Sequence, residues 1–216
     1  MSTRPRGRRP GGGDSRADIL AAARDLFARD GYDKASMRAI ARRARVDPSL
    51  IVHYFSSKEG LLKEALQLPF DPDQVLADGL TDVPDDELGV ALVRVVLTVW
   101  DNPYVQPRML GMLRTALSHD AAMSVLRQTL QATVMAAVSR LVTDEPARRR
   151  AELVGAQMAG VMLTRYVVRL PAVVEMSVDE LALAVGPSVQ HYLTGDLGDR
   201  SDVDGHPRTQ GDEHRA

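Results

Sequence analysis

The chain has no cysteine among its 216 residues. That excludes a disulfide framework and any zinc site built on thiolates, and it fits a reducing, cytoplasmic setting. Aromatic residues make up only 4% of the sequence, so the core must be aliphatic, with Ala, Val and Leu prominent. No apolar run approaches the roughly 20 residues of a membrane span, and the basic start lacks the apolar stretch of an export signal. Membrane insertion and export are therefore not expected. His53, His119, His191, His206 and His214 never pair at i, i+4, and neither an HExxH string nor a Gly-rich phosphate loop occurs. The reading is no metal, no cofactor and no enzyme. No convincing strand-like alternation is present either.

What is present is a polarised charge. The net charge is −2, yet residues 1–66 carry 14 Lys+Arg against 8 Asp+Glu. The rest of the chain holds 13 basic and 21 acidic residues. A basic head on an acidic body points to polyanion binding confined to one end.

Local signals divide the chain. Residues 1–13 set Arg4, Arg6, Arg8 and Arg9 among Pro and Gly, so 1–14 read as a disordered basic arm. A first helix opens at Ser15, where Ser15 and Asp18 fit a capping box. Ile19, Leu20, Ala23, Leu26 and Phe27 form its inner face, and Gly31 ends it. A second helix follows Ser36, with Met37, Ile40, Ala41 and Ala44 inward. After a turn at Arg45, Val46 and Asp47, the Asp47–Pro48 pair starts a third helix running to about Tyr54. Ser56 and Glu59 fit a capping box for a fourth helix, ending near Leu68.

Pro69, Pro72, Gly79 and Pro84 mark a change of module. Five apolar-periodic segments follow, over 85–101, 103–118, 120–142, 146–170 and 178–193. Ser177 with Glu180 caps the last, and Pro187 inside it predicts a kink. From 195 onward the composition reads as a disordered tail. The expected fold is all-α: a helix-turn-helix head over 15–66 and a larger helical domain over 67–194.

The stretch from 35 to 64 carries the chemistry. A helix that enters the major groove needs a second helix to hold its angle, backbone contacts for register and outward side chains for bases. Ile40, Ala41, Val46, Ile51 and Phe55 can form the locking core. Ser36 and Lys58 lie at helix starts, where a hydroxyl, an ammonium and free N–H groups meet phosphate. Ser49, Leu50, Val52 and His53 read as outward positions of the third helix. Taken singly, Ser36 is also an ordinary cap, Lys58 and Arg38 ordinary surface charge, and Tyr54 half-buried core. Their joint spacing favours double-stranded DNA as the partner.

Here SMRAIARRARVD at 36–47 and HYFSSKEGLL at 53–62 resemble the tetracycline-repressor (TetR) family of one-component transcriptional regulators. The resemblance implies a phosphate-contacting cap at Ser36, a base or phosphate contact at Arg38, and an exposed recognition-helix start at Pro48, Ser49 and Leu50. It also implies backbone and base contacts at His53 and Tyr54, and a phosphate-binding Lys58. Val52 stands where the family usually has Tyr, which trades a phosphate hydroxyl for a thymine-methyl contact. Arg45 replaces the Gly often found at the turn. Arg4, Arg6, Arg8 and Arg9 suit the minor groove.

The same resemblance implies a homodimer on a palindromic operator and a small-molecule effector. Gly155, Ala156, Ala159 and Gly160 form a small-residue strip; Val167, with Val185, Val189 and Tyr192 on the last helix, completes the candidate dimer face. Trp100, Tyr104, Met109, Met112, Leu113, Met123, Leu126, Met158, Met162 and Tyr166 are the candidate effector pocket, although Met at helical spacing also serves as plain core. Arg114, Arg165 and His119 are candidate anchors for an anionic effector. The competing classes are an effector-free DNA-binding protein and an all-helical enzyme.

Overall fold

A computed structural model describes residues 14–142 and 147–198. The four arm arginines, residues 143–146 and the tail from 199 lie outside the described residues. Among those described, every regular element is helical and no strand occurs, as the missing alternation requires.

Four helices form the head. α1 (Ser15–Asp30) is capped by Asp14, whose carboxylate accepts from Arg16 N–H, and not by Ser15 as the sequence suggested. The cap lies one residue upstream because Ser15 already has helical backbone. Gly31, at φ 80°, ends the helix and its N–H bonds Phe27 O. α2 (Met37–Ala44) starts on the expected cap, with Ala39 N–H donating to Ser36 Oγ at 3.1 Å. It stops at Arg45, which sits in the left-handed region at φ 56°, ψ 40°. Val46 N–H reaches back to Ala41 O and Arg45 N–H to Arg42 O, the Schellman pattern that usually employs Gly. A Cβ there costs about 1 kcal/mol, which the surrounding head must offset.

α3 (Pro48–Phe55) begins on the Asp47 carboxylate, which accepts from Ser49 N–H at 2.9 Å and Ser49 Oγ–H at 2.6 Å. Pro48 fills a first-turn position where no N–H is needed. α4 (Lys58–Ala65) is capped by Ser57 through Gly60 N–H, one residue later than the expected Ser56. Ser56 is instead the centre of the link, at φ 63°, with Ser57 N–H closing on Phe55 O at 2.7 Å. A Cβ on Gly60 would collide with that same carbonyl, so the tight link admits only glycine there. α4 ends at Ala65, earlier than the predicted Leu68.

The sequence reading treated 69–85 as a boundary, yet it contains α5 (Pro72–Gly79), started by Asp71 bonding Asp73 N–H with Pro72 in the first turn. Then come α6 (Leu88–Asp101), α7 (Gln106–Leu117) and α8 (Asp120–Leu130), which widens into a π turn over Gln131–Met135 and resumes as α9 (Ala136–Ser139). α10 (Ala147–Met162) continues into a second π turn, Leu163–Val167. α11 (Pro171–Glu175) is a short return to α12 (Val178–Thr194). The segment predicted as one helix over 146–170 therefore breaks near its end, where Arg169 turns to φ 57°. The Ser177–Glu180 capping box is present, and Pro187 is accommodated within α12.

The larger domain is organised around the crossing of α6 and α12. Gly89 and Gly186 are both buried at that crossing. A Cβ on Gly186 would come within 2.8 Å of Val90 Cα, and one on Gly89 would meet the α12 backbone at Gln190 N, 2.5 Å away. Backbone thus lies on backbone. α6 has no side-chain cap of its own; Gln190 of α12 supplies one, its Oε1 accepting from Gly89 N–H at 2.7 Å. Its Nε2 donates to Asp85 O at 2.9 Å. The buried Arg150 of α10 in turn closes the far end of α12, donating to Tyr192 O at 3.1 Å and Gly195 O at 2.9 Å. The head joins this domain chiefly through α1 against α7 and α4 against α8.

Replacing Gly89 or Gly186 by Ala should cost about 1–3 kcal/mol or more in chemical denaturation, because neither backbone can retreat. Asp47→Ala should lower the thermal midpoint by a few degrees through loss of the α3 cap, whereas Asp47→Asn should retain most of it. The Ser49 hydroxyl, and then its N–H, hold the Asp47 carboxyl below its ordinary range. Its contribution is therefore complete above pH of about 4 and lost as pH falls through the depressed value. Thermal melts between neutral and acid pH should show that loss in the native protein and not in Asp47→Asn.

Candidate nucleic-acid interface

α3 is eight residues long, too short to persist alone in water. Its placement comes from Ile51, fully buried, and Phe55, nearly so, which enter the core formed by Ile19, Phe27, Ile40 and Leu61. Each contributes about 1.5–3 kcal/mol on burial. With those two positions inward, Pro48, Ser49, Val52, His53 and Tyr54 are exposed. Val52 shows 55% of its surface, a large apolar side chain displayed on a reading helix. His53 and Tyr54 meet edge to face, 5.2 Å between ring centres.

Leu50 departs from expectation. It is half-buried and packed against the core, since it precedes Ile51 on the edge of the inner face. Part of its side chain is therefore committed to the head, and less of it is displayed than of Val52. Ser49 is exposed, but its hydroxyl donates to Asp47, so only its oxygen lone pairs remain for a partner.

Ser36 and Arg38 are exposed at the start of α2. Ser36 Oγ accepts the Ala39 N–H, leaving its own O–H to donate outward. Lys58 opens α4, and its ammonium sits 4.3 Å from the Tyr32 ring centre and donates to Asp33 O at 3.3 Å. The long side chain is thus held over the head. Exposed Arg42 and Arg43 extend the positive edge, Arg43 pairing with Asp25 at 2.8 Å. Arg16 pairs with Glu64 and lies over the Phe55 ring, tying the start of α1 to α3 and α4.

The effector candidates fare differently. Trp100, Met109, Met112, Leu126, Met158, Met162 and Tyr166 are buried, and Leu113 and Met123 pack partly buried against the same core. Trp100 stacks on Tyr166 at 5.2 Å. The Tyr166 hydroxyl donates to Asp101 at 2.8 Å; burial, then that bond, raises the phenol well above its usual range. Tyr104 is 84% exposed on the link between α6 and α7, where its N–H donates to Asn102 Oδ1 at 2.9 Å, so it does not belong with this set. The hollows that open on the described surface include these two. One, of about 370 Å³, is lined by Ala116, Leu117, Ser118, His119, Asp120 and Met123; the other lies beside Asp18 and Arg45. Of the effector candidates, Met123 and the candidate anchor His119 line the first of these.

Two of the candidate anionic anchors are engaged within the chain. Arg165 donates to Val173 O and Met176 O, both at 2.8 Å, and stands 3.6 Å from Asp101. His119 is committed to Ala121 and Asp33. Arg114 is exposed. Of the small-residue strip, Ala156, Ala159 and Gly160 are exposed, with open space around Gly160. Gly155 instead makes room for Met135 of its own chain, whose Cε would lie 2.8 Å from an added Cβ. Val189 is completely buried, facing inward toward the α6 side of α12. Val185 and Tyr192 are half-buried, and Val167 is exposed. Val168, which flanks the strip in the sequence, is exposed as well, and so are Leu163, Leu170 and Leu183, which the apolar pattern did not single out.

Comparison with known proteins agrees with this architecture. Residues 19–65 match the family described as bacterial regulatory proteins, tetR family, and residues 86–193 match the tetracyclin repressor-like C-terminal domain. A TetR-family regulator from Streptomyces coelicolor is 34% identical, covers 87% of this chain and 98% of its own, and superposes with a TM-score of 0.65. The multidrug binding protein EbrR, solved with imidazole, shares the fold at 20% identity, covering 91% of this chain and 100% of its own with a TM-score of 0.61. Among curated relatives, the repressor NicS of Pseudomonas putida is 30% identical over 134 residues, 61% of this chain and 62% of its own. The regulator UidR of Escherichia coli is 41% identical over 49 residues, so the chain matches 25% of that relative's length and 23% of its own. With both halves matched and the reading helix displayed as described, the chain belongs to the TetR family of transcriptional regulators.

Proposed function

We propose that this regulator is a homodimeric repressor that binds a palindromic operator and leaves it when a small molecule binds the larger domain. The observation that carries the reading is the display of Val52, His53 and Tyr54 on a helix anchored by Ile51 and Phe55. Ser36 and Lys58 flank that helix as phosphate contacts, and Arg38 reaches base or phosphate. Val52 meets a thymine methyl, His53 and the Ser49 oxygen meet base edges, and the arm arginines follow the minor groove. That NicS is named a repressor supports the direction of regulation.

Twofold pairing is supported by the exposed apolar surface of the last helices. Leu183 shows 63% of its surface and Leu163 48%, with Val167, Val168, Ala159 and Gly160 also uncovered. Large side chains of this kind are stabilised by a partner, and a two-fold dimer sets two reading helices one DNA turn, roughly 34 Å, or a multiple apart.

Fluorescence anisotropy separates the roles. Lys58→Ala should weaken binding similarly for all duplexes and reduce the salt slope by roughly one unit, while His53→Ala should cost about 1–3 kcal/mol only at particular base pairs. Equal loss of sequence preference in both variants would contradict these assignments. In sedimentation equilibrium, Leu183→Glu should raise the dimer dissociation constant by at least about tenfold with helicity preserved. A variant that dimerises like wild type would remove this face from the interface.

A further inference from the structure

We propose that His119, in the turn between α7 and α8, is a positioning residue for DNA binding that sets the placement of Lys58 through Asp33 and Tyr32. The proposal rests on the reading that Lys58 meets phosphate. His119 belongs to the larger domain, yet both of its ring nitrogens are engaged. Nδ1 accepts from Ala121 N–H at 3.1 Å and so caps α8. The proton of the neutral ring is then on Nε2, which stands 3.2 Å from Asp33 Oδ1 in the head. The imidazole also packs on Tyr32, 5.4 Å between ring centres.

Tyr32 and Asp33 are the same two residues that hold Lys58. The buried Tyr32 ring carries the ammonium at 4.3 Å, and Asp33 O accepts from it at 3.3 Å. Asp33 is therefore gripped twice: its carboxylate by the larger domain, its carbonyl by the phosphate-seeking lysine. A free lysine side chain is rich in rotamer entropy, and this arrangement removes much of it before DNA arrives. Serine, asparagine or aspartate would cap α8 equally well, but none of them has a second donor that reaches the head. The hollow lined by Ser118, His119 and Met123 opens on the same turn. Any rearrangement of the α7–α8 turn consequently displaces the support under Lys58, which gives the two domains a defined mechanical contact.

His119→Asn separates the two duties of this residue, because asparagine preserves the cap while falling short of Asp33 and Tyr32. Wild type, H119N, K58A and the double variant would be titrated by anisotropy against a fluorescein-labelled mixed-sequence duplex of about 30 base pairs at low salt. H119N should weaken binding about 3- to 10-fold, and the double variant should bind as K58A alone does. H119N with wild-type affinity, or an equal loss in both backgrounds, would overturn the inference, since a mere loss of stability or of the cap acts regardless of Lys58. K58A with wild-type affinity would overturn the phosphate reading as well. A weakened K58A beside an unaffected H119N would overturn this inference only.

Discussion

The burial of Ile51 and Phe55 is the constraint from which the rest of the head follows. α3 has too few residues to hold itself together, so its conformation and direction are borrowed from the α1, α2 and α4 core beneath it. Once those two side chains are inside, helical geometry leaves Val52, His53 and Tyr54 no alternative to the surface. The entry into α3 is fixed by the Asp47 cap, and the exit by the strained Ser56 link and the absence of a side chain at Gly60. Display for DNA and internal stability are thus one arrangement.

The larger domain answers to a different constraint, the approach of the α6 and α12 backbones at Gly89 and Gly186. Contact that close places the ends of each helix within reach of side chains from another. Gln190 caps α6 across the crossing, and Arg150 gathers the last carbonyls of α12. These are long-range polar contacts in a core built mainly from Leu, Val, Ala and Met beside the Trp100–Tyr166 stack. They fix the register of helices whose apolar faces alone would tolerate sliding. The π turn after α10 and the outer side of α12 keep Leu163, Val167 and Leu183 uncovered, the surface on which the proposed pairing rests.

Much of the head was legible in the sequence because its signals are local. Ser36 and the Asp47–Pro48 pair, like the Ser177–Glu180 box in the larger domain, act within four residues of themselves, and each appears where expected. The errors there are single-residue shifts, such as Asp14 for Ser15 and Ser57 for Ser56, where two adjacent polar residues both satisfy the pattern. α5 was missed although Asp71–Pro72 repeats the Asp47–Pro48 signal, since its eight residues contain few apolar side chains and sit among prolines. What periodicity could not resolve is which apolar face meets which neighbour. Val189 and Gly155 belong to the stripes that suggested a dimer surface, yet they are consumed inside the chain. Leu183 lies on another face of the same helix and remains outside. Likewise, the tie from His119 to Asp33 spans 86 positions, and no local pattern announces it.

The family supplies the class of activity, and the geometry supplies the residues that would carry it. Recovery of bound duplexes from a random DNA pool by the wild-type protein tests that union most directly. Enrichment of an inverted repeat, with half-site centres about one helical turn or a multiple of it apart, is the predicted result. A pool that returns no shared sequence at moderate salt, or a single unrepeated half-site, would contradict the account.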